Sequence, residues 1–159
     1  MVQHPRPIPH QEQTAVAWLW HDAWHEAHAL HVPSALTALR NIPSFLRRVV
    51  DAGDQARTIG ADGNPLGFCA ITGRQMEQLF VASAARGSGV AAALLKDAEQ
   101  RLYATGVVSA YLHCLPQNTT AIRFYEKMGW VGTDLHPVEL TTSAGPFVLD
   151  CIVFTKSLS

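Results

Sequence analysis

Arg86-Gly87-Ser88-Gly89-Val90-Ala91 falls between an apolar, strand-like run and a strongly helical one. Its glycines let backbone N–H groups turn inward without interference from Cβ, and the N-terminal end of the following helix adds partial positive charge. Arg86 adds a full one. The chemistry on offer is the holding of a pyrophosphate, largely by main chain. Further on, Asn118-Thr119-Thr120-Ala121-Ile122-Arg123-Phe124-Tyr125-Glu126-Lys127-Met128-Gly129-Trp130 opens on a helix-capping residue and carries a phenol on its apolar face. Gly87-x-Gly89-x-x-Ala92 also fits a shortened dinucleotide fingerprint. Its context argues against that use. Residues 82–86 separate the strand from the turn, and the acidic ribose ligand expected about 20 residues on is missing, since the next strand ends His113-Cys114-Leu115.

Together the two segments resemble the GNAT superfamily of acetyl-CoA-dependent N-acetyltransferases. The family's pyrophosphate loop reads Gln or Arg, two residues, Gly, one residue, then Gly or Ala, which Arg86, Gly89 and Ala91 match in order. Its later signature is met by Asn118, Ala121, the Phe124-Tyr125 pair and the Gly129-Trp130 ending. The resemblance covers residues 66–130 firmly and the rest more loosely. It implies an α+β fold: a central mixed, mostly antiparallel sheet with two splayed parallel strands, flanked by helices. It also implies acetyl-CoA as co-substrate. The pyrophosphate would meet Arg86, Gly87, Ser88, Gly89, Val90 and Ala91, and the pantetheine amides would pair with the strand end Leu79-Phe80-Val81 as though with another strand. Asn118 and Tyr125 complete the cofactor set, and the strands are expected to part after Val81 and His113.

Acetyl transfer to an amine also needs acid–base help. Tyr125 occupies the position from which family members often protonate the departing thiolate, and a phenol of pKa about 10 is neutral at working pH. An amine resembling that of lysine, pKa about 10.4, must first lose a proton. Glu77 resembles the location of the general base in some members, although alternation along its strand leaves its face open. His113, at the splay, is a further base candidate or else a strand histidine bonded internally. Trp24 and His28 are acceptor-pocket candidates, because the end of their helix overhangs the thioester in such folds. His21, His25 and His28 recur at spacings of four and three, but nothing supplies the carboxylate pattern that a metal-binding motif needs. They read as a solvated polar stripe, and no metal is expected.

The elements that must position these groups are legible from periodicity. After a Pro-rich start with a short edge strand near Arg6-Pro7-Ile8, a helix is predicted over residues 11–30, with Val16, Leu19, Trp20, Ala23, Trp24, Ala27 and Leu30 inward and Pro33 as its stop. Ser34 is expected to cap a short helix to Arg40, and Pro43 or Ser44 to open another ending near Val50. Strands follow over residues 56–60, 66–72 and 75–82, the first two joined by a turn containing Asp62-Gly63. A helix over 89–105, stopped by Gly106, leads to a strand over 107–115, and this crossover makes the flanking strands parallel neighbours. Asn118 caps the next helix, closed by Gly129. Residues 130–132 and 147–154 read as strands and 134–146 as loop.

With 159 residues, 48% hydrophobic and 16% charged, the chain has the size of one compact domain, 1–159, with a substantial core. Its net charge of −1, with Lys and Arg scattered, offers neither a basic stripe for nucleic acid nor a basic amphipathic helix for membranes. Cys69, Cys114 and Cys151 sit in separate apolar segments and read as buried free thiols. The opening Met1-Val2-Gln3-His4-Pro5 lacks the pattern of a secretory leader, so a cytoplasmic protein is expected. The expected activity is direct acetyl transfer to a primary amine of a small molecule or peptide. A homodimer, a longer acyl group, an acyl-CoA-binding regulator and a nicotinamide-dependent oxidoreductase stay open as alternatives.

Overall fold

Alternating apolar residues build the central sheet, and apolar stripes at helical spacing close both of its faces. The computed structural model describes residues 3–159, so the part of the leader reading that rests on Met1 and Val2 falls outside it. In order, the elements are β1 (Arg6–Pro7), α1 (Gln13–His28), α2 (Ser34–Leu39), α3 (Ile42–Ala52), β2 (Ala56–Ile59), β3 (Gly67–Thr72), β4 (Gln75–Val81), α4 (Val90–Ala104), β5 (Ser109–Cys114), α5 (Thr119–Lys127), β6 (Val131–Thr142) and β7 (Gly145–Ser157). The strands form one seven-stranded sheet, β1-β2-β3-β4-β5-β7-β6. Every neighbouring pair is antiparallel except β4 and β5. This is the expected α+β architecture.

Alternation along β3 divides the core in two. Phe68 faces α1 and α3, among Val16, Trp20, Trp24, Leu36 and Phe45, whereas Cys69 and Ile71 face α4, among Leu94, Leu95, Ala98 and Leu102. Gly67 sets the approach of α4. A Cβ there would lie 2.9 Å from Leu94 Cδ1 and 3.0 Å from the Phe80 carbonyl oxygen. At the N-terminal edge, Arg6 on β1 donates to both oxygens of the buried Glu12 at 2.9 and 2.8 Å. That hydrogen-bonded guanidinium holds the Glu12 carboxyl below the usual carboxylate range.

Several boundaries differ from expectation. Leu30 is 95% exposed, because α1 ends at His28 before Leu30 can join its inner face. Ser34 is the first residue of α2 and does not cap it; Pro33 precedes the helix with no side-chain cap. In α3 the cap is Asn41, whose side chain accepts the Ser44 N–H at 3.0 Å, with Pro43 in the first turn. The largest correction concerns residues 134–146, which are strand apart from a tight turn at Ser143-Ala144. β6 is an edge strand lying mostly in solvent, so no period-2 apolar signal marks it, and an edge tolerates the donor that Pro137 lacks.

Candidate active site

β4 and β5 pair at a single register position, Gln75 with Tyr111. Beyond it they part, so the splay opens at the start of β4 and not after Val81 and His113 as the family resemblance implies. A bulge contributes. Ala70 pairs with Gln78 but Ile71 with Met76, which leaves Glu77 as the extra residue on β4. Side-chain phase records the same slip, since Met76, Leu79 and Val81 all face the α4 side of the sheet. The Ala82 N–H donates to Leu66 O at 2.8 Å, on the side away from β5. Alternation therefore turns the main-chain groups of Leu79 and Val81 toward the opened gap.

The loop before α4 presents main chain to that gap. Gly87 and Gly89 have φ of 76° and 86°, a region open to glycine and strained for other residues. Among the described residues no backbone acceptor meets the amides of residues 87–92; the first bond into α4 runs from Ala93 N–H to Gly89 O at 3.1 Å. Ser88 spends its hydroxyl on the Ala85 carbonyl and lies outside the cavity lining. Arg86 is engaged as well, donating to both oxygens of Glu26 at 2.5 and 2.9 Å, with both side chains about half exposed. A cavity of about 700 Å³ runs from Arg86, Gly87, Gly89, Val90 and Ala91 along Leu79, Phe80 and Val81 to Asn118 and Tyr125. Lys127 also lines it and is not anticipated from the sequence, where it reads as a solvated charge in the last turn of α5.

A second cavity, about 440 Å³, lies on the other side of the splay and gathers Trp24, His28, Glu77 and His113. Leu79, Phe80, Asn118, Ala121 and Tyr125 line both cavities, so the two meet between the parted strands. Asn118 fixes the start of α5 by accepting the Ala121 N–H at 3.2 Å. The far end is fixed by Trp130, 2% exposed, whose N–H donates to Tyr125 O at 3.0 Å, and by Lys156, which donates to Met128 O at 2.8 Å. The Tyr125 ring packs on Phe154 with centroids 5.7 Å apart. Burial, with the Cys114 thiol adjacent, pushes the phenol well above its ordinary range, so it stays protonated.

Burial likewise pushes His28 down to about 4, leaving a neutral imidazole, and lowers His113, whose Nδ1 lies 3.5 Å from Gln75 Nε2. The histidine stripe of α1 is packed, not solvated. His25 Nε2 bonds the Arg40 carbonyl at 2.7 Å, and His21 lies against His25 with centroids 4.2 Å apart. Among the described residues no three His, Cys, Asp or Glu side chains gather to hold a metal ion. The sequence reading also missed Arg40 and Arg48, which line the smaller cavity. The available signal was positional: Arg48 shares the inner stripe of α3 with Phe45 and Val49.

Residues 14–130 match the family model described as Acetyltransferase (GNAT) family. Among solved structures the chain is similar to the GCN5-related N-acetyltransferase of Rhodopseudomonas palustris, with 20% identity, 99% of each chain covered and a TM-score of 0.74. It is similar to the PaiA N-acetyltransferase of Thermoplasma acidophilum in complex with coenzyme A, with 17% identity, 99% of each chain covered and a TM-score of 0.73. A third likeness, to an N-acetyltransferase of Staphylococcus aureus Mu50, has 16% identity, 100% of each chain covered and a TM-score of 0.74. At these identities the likeness is one of fold.

Proposed function

The chain belongs to the GNAT acetyltransferase family, and on that premise we propose that its 159 residues act as one domain that transfers acetyl from acetyl-CoA directly to a primary amine. The observation that carries this reading is the meeting of the two cavities at Tyr125 between β4 and β5. The larger one suits the cofactor. Unspent amides over residues 87–92 and the positive end of α4 would receive the pyrophosphate, with Arg86 exchanging Glu26 for a phosphate oxygen. Leu79 and Val81 would pair with the pantetheine amides, which brings the thioester to Asn118 and Tyr125.

The smaller cavity then takes the amine. Glu77, freed from sheet pairing by the bulge, is the first base candidate and His113 the second; either would accept the ammonium proton. The neutral nitrogen attacks the thioester carbonyl carbon, the C–N bond forms and the C–S bond breaks. Tyr125 donates its proton to the departing sulfur and is reprotonated from the nitrogen, directly or through water. Trp24 and His28 wall the acceptor. Buried, unpaired Cys69, Cys114 and Cys151 suit a reducing compartment such as the cytoplasm. Among the described residues no helix is long and apolar enough to cross a membrane.

The test is a thiol-release screen with acetyl-CoA against a panel of amines, the product identified by mass. Amine-dependent release supports the reading. Tight acetyl-CoA binding with no amine ever acetylated would make the chain an acyl-CoA-binding protein instead.

A further inference from the structure

The smaller cavity is lined by two arginines that make no ion pair within 4.0 Å among the described residues. Arg40, just past α2, is 5% exposed, and Arg48 lies on the inner stripe of α3. Arg40 Nε and Arg48 Nη1 are shut off from solvent with no hydrogen-bond partner among the described residues. Arg40 is anchored through its main chain and Arg48 through its guanidinium. His25 ties down the Arg40 carbonyl at 2.7 Å, and the Arg48 guanidinium lies 4.1 Å over the Trp20 ring and 5.6 Å over Phe45.

Like charges drawn out of solvent without a hydrogen-bonded acid are costly, and an anion bound between them offsets that cost. Burial pushes Arg48 down to about 9; Arg40 adds repulsion, and Glu77 offsets part of it. The strand side of the cavity has the opposite sign, with Glu77 on β4 and Glu139 on β6 in its lining. A space of about 440 Å³ thus carries a fork for an anion and carboxylates for a cation, and it opens on Tyr125.

Building on the transferase reading above, we propose that the acceptor is a small zwitterion, an amine bearing a carboxylate on the same molecule, with Arg40 and Arg48 binding the carboxylate. The ammonium end faces Glu77, and the carboxylate fixes which nitrogen reaches the thioester. Transfer joins that nitrogen to the acetyl carbonyl carbon and breaks the carbon–sulfur bond. It yields an N-acetyl amino acid, free CoA thiol and one proton to solvent, the carboxylate being untouched. Polyamines and peptide-internal lysines lack the anion that the fork requires.

The test compares α-amino acids with their own carboxamides, with simple alkylamines and with 2-aminoethyl phosphate, by thiol release and by thermal stabilisation of the CoA-bound protein. At least one amino acid should exceed its carboxamide by about 100-fold or more in kcat/KM, because the amide leaves the fork unfilled. Arg48→Met and Arg40→Met should bring the acid down to the level of the amide while CoA still raises Tm. Arg48→Lys, which keeps the charge but not the fork, should fall between. Should a variant fail to fold, shown by loss of the CoA-induced shift, the acid–amide comparison in the unaltered protein decides alone. Where acetyl-CoA binds but no amine is turned over, the transferase reading fails and this proposal with it. Equal use of amides or alkylamines, or preference for the phosphate, overturns the proposal and leaves the transferase reading standing. If acetyl-CoA neither stabilises the protein nor is consumed with any amine, the transferase reading fails and this proposal with it.

Discussion

At Tyr125 the proposed roles of proton donor and packing residue separate cleanly. Tyr125→Phe keeps the ring against Phe154 and Trp130 and removes only the hydroxyl. Turnover should fall by about 10² to 10⁴ with CoA affinity nearly unchanged, and the loss should shrink for acyl donors with more acidic thiols. An unchanged rate would return Tyr125 to a packing role. This residue was legible in the sequence because its neighbours Asn118, Phe124, Gly129 and Trp130 form a spaced pattern. Arg40 and Arg48 went unread, since an arginine in or just past a helix ordinarily reads as a solvated charge; Arg48 had only its place on the inner stripe of α3 as a signal, and tertiary packing alone turns Arg40 inward. Glu77 lay between these cases. Its residue type suggested a base, but the bulge that frees it depends on cross-strand register with β3, which one strand's sequence does not carry.

Among the elements, the loop into α4 gives the sharpest prediction. At Gly89 φ is 86° and no atom would meet an added Cβ within 4 Å, so Gly89→Ala should cost only conformational strain, about 1–2 kcal/mol, measured by urea unfolding. Gly89→Asp adds a negative charge beside the unspent amides and should abolish CoA binding in a protein that still folds. The pair between Glu26 and Arg86 adds a second test. Glu26→Gln should tighten CoA binding by releasing the guanidinium, and Arg86→Ala should weaken it, both read by titration calorimetry; opposite signs would remove Arg86 from the phosphate site. Gly67 is constrained by space, not by φ. Gly67→Ala would press on Leu94 Cδ1 and the Phe80 carbonyl and should cost about 1–3 kcal/mol of stability. The crossover of β4, α4 and β5 was readable from periodicity and glycine stops. β6 was not, because its face meets solvent and its pairing comes from β7 alone.

The whole molecule couples two cores, one on each face of the sheet, to a gap between two strands. The N-terminal edge is closed by the pair of partly exposed Arg6 with buried Glu12, and its pH dependence follows in sign. The folded pKa of Glu12 lies below its unfolded value, so its contribution is complete above the unfolded pKa, about 4.3, and is lost as pH falls through the folded one. Glu12→Gln should therefore be less stable than the parent near neutrality, and the gap should close below about pH 4, followed by thermal melts. Binding should stabilise the same molecule: CoA or acetyl-CoA at 100 times Kd should add about 2.7 kcal/mol, with no such gain from NAD or NADP. The most direct measurement is a crystal structure of the protein with acetyl-CoA. The pyrophosphate should lie against the amides of residues 87–92, the pantetheine along Leu79 and Val81, and the thioester beside Tyr125 where the two cavities meet. A cofactor bound elsewhere, or one whose thioester points away from the cavity of Glu77 and Arg48, would contradict the site.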